Sequence, residues 1–132
     1  MAKGANSKLK LLYLMKIFMT ETDEEHALTM NDIISRLSLY NVSAERKTLY
    51  QDFEELRTFG MDIISEQTGN HYYYKLASRE FELPELKLLV DSVHSAKFIT
   101  ERKSRELIRK LEGLASKYEA GQLNRQVIIS GR

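Results

Sequence analysis

Three features of the sequence predict an α+β chain that is mainly helical. Apolar residues recur at helical spacing from Leu9 to Phe59, alternate with polar ones across Met61 to Ala77 around the Gln67 to Asn70 connection, and return to helical spacing after Pro84. A period that shifts from about 3.6 residues to 2 and back marks helices, then a hairpin, then helices again.

The first helix runs from Ser7 to about Thr22, with Asn6 or Ser7 as its cap and Leu9, Leu12, Tyr13, Ile17 and Met19 near helical spacing. Asp23 to His26 reads as a polar connection, the acidic stretch Glu21 to Glu25 as solvated surface, and Ala27-Leu28 suits a very short strand. Thr29 and Asp32 form a capping-box pair, each side chain accepting from the other residue's free backbone N–H. Ile33, Ile34, Leu37 and Leu39 then give the second helix an apolar face that ends near Tyr40. Asn41 tolerates the left-handed conformation that closes many helices, Val42 plugs the turn, and Ser43 caps a third helix with Glu45 near its positive end. A connection of about three residues makes a sharp helix-turn-helix, which sets its second helix into a DNA major groove and also occurs in purely structural bundles.

In the third helix Leu49, Phe53 and Leu56 face inward and Gly60 ends it, while Lys47, Gln51, Glu54 and Thr58 lie opposite with Arg46 and Tyr50 on one flank. Met61 to Glu66 and His71 to Ala77 then pair across Gln67-Thr68-Gly69-Asn70. Tyr72, Tyr74 and Leu76 share one face of the second strand, and His71, Tyr73 and Lys75 the other. Three helices followed by a hairpin is the order of a winged helix-turn-helix. After it, Pro84 opens a fourth helix carrying Leu86, Leu89, Val90, Val93 and Ala96 to Phe98. Thr100 caps a fifth with Leu107, Ile108, Leu111 and Leu114, completing an antiparallel helical hairpin. Lys117 to Arg132 reads as a linker whose Gln126 to Ser130 resembles a strand without a partner. The expected division is a winged helix-turn-helix over 1–77, a helical extension over 78–116, and a linker over 117–132 toward a further domain.

Composition narrows the function classes. With 42% hydrophobic and 30% charged residues, the chain resembles an ordinary soluble protein, and no run reaches the roughly 18 to 20 apolar residues of a membrane span. The first ten residues do not read as a secretory signal. The absence of cysteine excludes disulfides and cysteine-based zinc sites, and fits the cytoplasm. The net charge is +1; residues 1–76 carry 9 basic against 11 acidic side chains, and residues 77–132 carry 11 against 8. Global charge therefore does not announce a nucleic-acid binder, and only a local cluster can.

That cluster is Ser43 to Tyr50, SAERKTLY, where Ser43, Arg46, Lys47, Thr48, Tyr50 and Gln51 just beyond are suited to phosphates and base edges. The alternative is a solvated helix face. Thr68, Asn70 and His71 at the hairpin tip are the candidate wing contacts. The tyrosine run Tyr72-Tyr73-Tyr74 either stacks on bases or, by alternation, packs against the domain body. Met15, Met19, Met30 and Met61 read as gap-filling core residues. Leu86, Leu89, Val93, Leu107 and Leu111 exceed what one two-helix contact hides, so this face is expected to dimerise the chain or dock a sensor domain. His26, His71 and His94 have no partner at catalytic or metal-ligand spacing. No nucleophile elbow or glycine-rich phosphate loop occurs, so no enzyme, metal or cofactor is expected.

The string ERKTLYQDFEELRTFG, followed by GNHYYYKLASREFELPELKLLVDSV, strongly resembles the N-terminal part of bacterial WYL-domain transcriptional regulators, which begin with a DeoR-like winged helix. The resemblance covers Leu9 to Ser116, and the pattern RKT-[LI]-Y-x-D is its most specific part. It implies operator DNA as partner, helices that lead to a sensor domain, and a homodimer. Arg46, Lys47, Thr48 and Tyr50 match the motif, and Gln51 occupies its variable position, a candidate for specificity. No WYL sensor domain follows, so the effector ligand is unknown and is expected to bind a domain absent here. The rival expectation is a winged-helix protein-interaction module without direct DNA contact.

Overall fold

The computed structural model describes residues 2–130, and the side chains of residues 9–123, as a mixed α+β fold. Among the described residues there are six helices and one three-stranded antiparallel sheet. The chain divides into two units, Met1–Ser78 and Arg79–Arg132.

In the first unit, α1 (Ala2–Glu21) starts ahead of the expected cap and buries Leu14, Ile17 and Phe18. Thr22, fully buried just past its end, donates from Oγ1 to the Phe18 carbonyl at 2.6 Å and accepts from the Leu76 amide at 3.0 Å, pinning the helix end to the sheet. The polar connection at 23–26 is a turn organised around Asp23, whose carboxylate is buried where the acidic stretch was expected to be solvated. Asp23 Oδ1 accepts from the Glu25 amide at 2.9 Å and lies 2.8 Å from His26 Nδ1. A tight turn leaves amides without acceptors, and the aspartate supplies one.

β1 (Leu28–Thr29) leads into α2 (Met30–Leu39), whose capping box joins Thr29 and Asp32 reciprocally at 3.0 and 3.1 Å. Asn41, at φ 62, closes the helix: its amide donates to the Ser38 carbonyl and that of Val42 to the Leu37 carbonyl, both at 3.0 Å. Ser43 does not cap α3 (Arg46–Phe59); Glu45 holds the cap position without a side-chain bond, and residues 40–45 connect the helices. The connection exceeds the expected length because Val42 is buried and Ala44 packs against the same core before the helix begins.

Gly60, at φ 129, closes α3 with a similar bond pair, Gly60 N to Arg57 O and Met61 N to Leu56 O. β2 (Ile63–Thr68) and β3 (His71–Leu76) form the hairpin, and the sheet order is β1-β3-β2. Gln67 and Thr68 belong to β2, with Thr68 opposite His71, so the turn shrinks to Gly69-Asn70 with its positive φ of 63 on the glycine. Phe53 binds the layers together, its ring 5.4 Å from Phe18 and 5.1 Å from Tyr74. Met30 is buried and Met15 and Met61 pack against the core, but Met19 is exposed, as is Leu39 at the end of α2.

In the second unit, α4 (Leu83–Ser95) has Pro84 in its first turn and a capping box between Glu82 and Glu85. It ends before Ala96 to Phe98, which the sequence pattern had included, and Phe98 is 90% exposed. Thr100 caps α5 (Glu101–Glu112) by accepting from the Lys103 amide. The predicted linker and unpartnered strand are corrected by α6 (Lys117–Ser130), a third helix. Its capping box pairs Ser116 with Glu119 at 3.1 and 3.2 Å, and Leu123 is buried in one cluster with Leu86, Val90, Ile108 and Ala115.

Candidate nucleic-acid interface

The inward stripe Leu49, Phe53 and Leu56 is essentially buried, which fixes the rotation of α3 and turns the candidate residues outward. Ser43, Arg46, Lys47, Thr48, Tyr50 and Gln51 are all exposed, and they fall into two groups by what holds them. The Arg46 guanidinium donates to Asn31 Oδ1 of α2 at 2.8 Å. Thr48 Oγ1 donates to the Glu45 carbonyl at 3.1 Å and accepts from Lys10 Nζ of α1 at 3.4 Å. Lys10 also lies 2.8 Å from Asp52 Oδ2. Arg46, Thr48 and Asp52 thus tie the start of α3 to both preceding helices.

Tyr50 is half-exposed and sits close enough to Tyr74 of β3 to influence its hydroxyl. Burial, and then Tyr50 itself, push the Tyr74 hydroxyl above the usual tyrosine range, so it keeps its proton throughout the physiological range. Lys47 and Gln51, one helical turn apart, engage in no hydrogen bond or ion pair among the described residues. Both are available to a partner near the start of the helix, and the first turn of α3 contains no acidic residue.

Further along the helix, Arg57 donates to Glu54 at 2.6 Å and to the Ile63 carbonyl at 2.7 Å, locking α3 against β2. An open groove of about 560 Å³ lies between α3 and the hairpin, lined among others by Tyr50, Gln51, Arg57, Ser65 and Tyr72. Of the tyrosine run, Tyr74 is buried and Tyr73 half-buried, while Tyr72, on the same face as Tyr74 but next to the hairpin tip, is exposed. Thr68, Asn70 and His71 are exposed at the hairpin tip, and the His71 ring packs edge-on to Tyr73 at 6.5 Å.

The apolar face expected to dimerise or dock a further domain is partly covered within its own unit. Leu86 is wholly buried inside its own unit, Leu89, Val93 and Leu111 pack against that cluster, and Leu107 is half-buried. α6 supplies the cover that the two-helix reading lacked. Among the described residues no cluster of histidine and acidic side chains is placed to hold a metal ion, and no helix is long and apolar enough to cross a membrane.

No family model, curated protein or solved structure matches the chain. The functional reading therefore rests on the residues themselves.

Lys10, Asn31 and Arg57 escape a motif-based reading because they orient the site from outside it. The signal for Lys10 was present: an aspartate on the half-buried side of α3 calls for a cation, and Lys10 interrupts the apolar run of α1.

Proposed function

We propose that residues 1–78 are a winged helix-turn-helix that binds double-stranded DNA sequence-specifically, as the DNA-binding part of a cytoplasmic transcriptional regulator without catalytic activity. The observation that carries this reading is the division of labour on α3. Arg46 and Thr48 are held by neighbouring helices, while Lys47 and Gln51 stand exposed one turn apart without partners among the described residues. A base-reading helix needs such a division, since rigid attachment sets register and a few unengaged side chains read edges. Lysine meets guanine acceptors in the major groove, and glutamine pairs with both adenine edge groups. Thr68, Asn70 and His71 at the hairpin tip then act as a wing on the backbone or minor groove. The likeness of the RKTLYQD string to WYL-domain regulators supports the same reading.

Selection from a random duplex pool at about 50 mM salt, with the full chain as bait, tests the proposal. Enrichment of a short motif is the expected result; binding to no duplex, or binding without enrichment, would overturn it. The second reading, a winged-helix protein-interaction module, draws on the 9-to-11 charge balance of residues 1–76 and on Glu45, whose carboxylate at the cap position of α3 opposes a phosphate. Failure of every duplex at low salt favours it.

A further inference from the structure

We infer that the solvent face of α5 is a second DNA-contacting surface, one that grips the phosphate backbone without reading sequence. The amphipathic pattern fixes the geometry. Ser104, Leu107, Ile108 and Leu111 form the inner side, with Ile108 buried, Ser104, Leu107 and Leu111 half-buried. At 100° per residue the opposite half of the helix receives Arg102, Lys103, Arg105, Arg109 and Lys110, around a single acidic residue, Glu106. All five cations are exposed. Glu101 and Glu112 fall on a flank.

Three of these cations have acidic partners at the long end of ion-pair range, and Arg109 lies near Glu112. Arg102 to Glu106 spans 3.9 Å, Lys103 to Glu106 spans 3.7 Å and Arg105 to Glu101 spans 3.7 Å. Glu106 is shared between two cations, and exposed pairs of this length bind weakly and yield readily to a polyanion. The five cations are spread over roughly 12 Å of helix, at 1.5 Å rise per residue. Duplex DNA presents one phosphate charge per about 1.7 Å of axis, so several lie within reach of such a span.

The charge distribution of the chain points to the same partner. The first unit carries 9 basic against 11 acidic residues, so its α3 has little long-range attraction to offer, and the positive excess of the molecule lies beyond it at 11 against 8. Within that excess α5 is the densest stretch. Binding by this face would provide the sequence-independent electrostatic attraction that a near-neutral reading unit lacks. The inference builds on the DNA-binding reading above but uses different residues, so the two fail separately.

The test measures duplex affinity of the full chain against salt for three proteins: the wild type, the triple variant Arg102→Gln, Arg105→Gln, Arg109→Gln, and the charge-preserving triple variant with lysine at the same positions. Removing about two to three phosphate contacts should lower the log-log salt slope by roughly 2 to 2.7, on the order of 100-fold in affinity at 0.1 M salt, with convergence near 1 M. The lysine variant should keep the wild-type slope, and the sequence motif should be unchanged in both. Equal slopes for the glutamine variant and the wild type, with the motif retained, would overturn the inference and leave the α3 reading standing. A slope that depends on α5 in a chain with no sequence preference would do the reverse. Binding of the wild type to phosphatidylserine vesicles, with none to duplex at low salt, would overturn both.

Discussion

The ion pair between Lys10 and Asp52 adds a charged tie between α1 and α3 to their apolar packing, with both side chains close to 15% exposed and Asp52 Oδ2 buried. Burying a carboxylate is costly unless a cation faces it, and removing one partner leaves that cost uncompensated. Lys10→Met should therefore destabilise the first unit by roughly 2 to 3 kcal/mol, less than a fully buried pair because some solvent reaches it. Urea denaturation reads this directly, and a loss within experimental error of zero would show that the pair is ornamental. Glu112 behaves in the opposite sense. Burial pushes its carboxyl above the usual range, and Arg109 offsets this only in part. Because the folded form holds this proton more tightly than the unfolded chain, its contribution is complete below the unfolded pKa and is lost as pH rises through the folded one. Glu112→Gln should raise the melting temperature at pH 7 and leave it unchanged near pH 3, whereas equal shifts at both would contradict the assignment.

At the scale of elements, α6 changes what the apolar residues of α4 and α5 mean. Leu123 is 1% exposed and shares a cluster with Leu86 and Ile108, so α6 belongs to the core of the second unit. Leu123→Ala should cost that unit about 2 to 5 kcal/mol, as truncation of a buried leucine does. A guanidinium melt showing no change in the stability of residues 79–132 would return the segment to the status of a linker. The Ser116-x-x-Glu119 pattern made this helix start legible, but the β-branched run Val127-Ile128-Ile129 argued for a strand and obscured it. Other element boundaries were legible for the reason that fixes them physically. Thr29, Thr100, Pro84, Asn41 and Gly60 all mark helix ends, since each satisfies or relieves backbone groups that the helix leaves unpaired. Ser43 misled because capping propensity is local, whereas the start of α3 is delayed by the packing of Val42 and Ala44.

For the whole molecule, the α+β class and the inward face of α3 followed from periodicity, and so did most of that of α2, where Leu39 is exposed at the helix end. What periodicity could not supply was the network behind the surface of α3. Arg46 and Thr48 share one short string with Lys47, yet the fold engages them through Asn31 and Lys10 and leaves Lys47 without a partner among the described residues. That distinction between holding and reading is the central claim, and it belongs to tertiary structure. Its most direct test compares the DNA motif selected by the wild type with those selected by Gln51→Ala and by Asn70→Ala or His71→Ala. Leu49→Ala serves as the stability control, with an expected loss of about 2 to 5 kcal/mol. Gln51→Ala should relax preference at one or two base pairs, each worth roughly 1 to 3 kcal/mol, without loss of folding, while the hairpin-tip variants weaken all sequences by similar factors. An unchanged motif for Gln51→Ala together with an altered one for a tip variant would contradict the account.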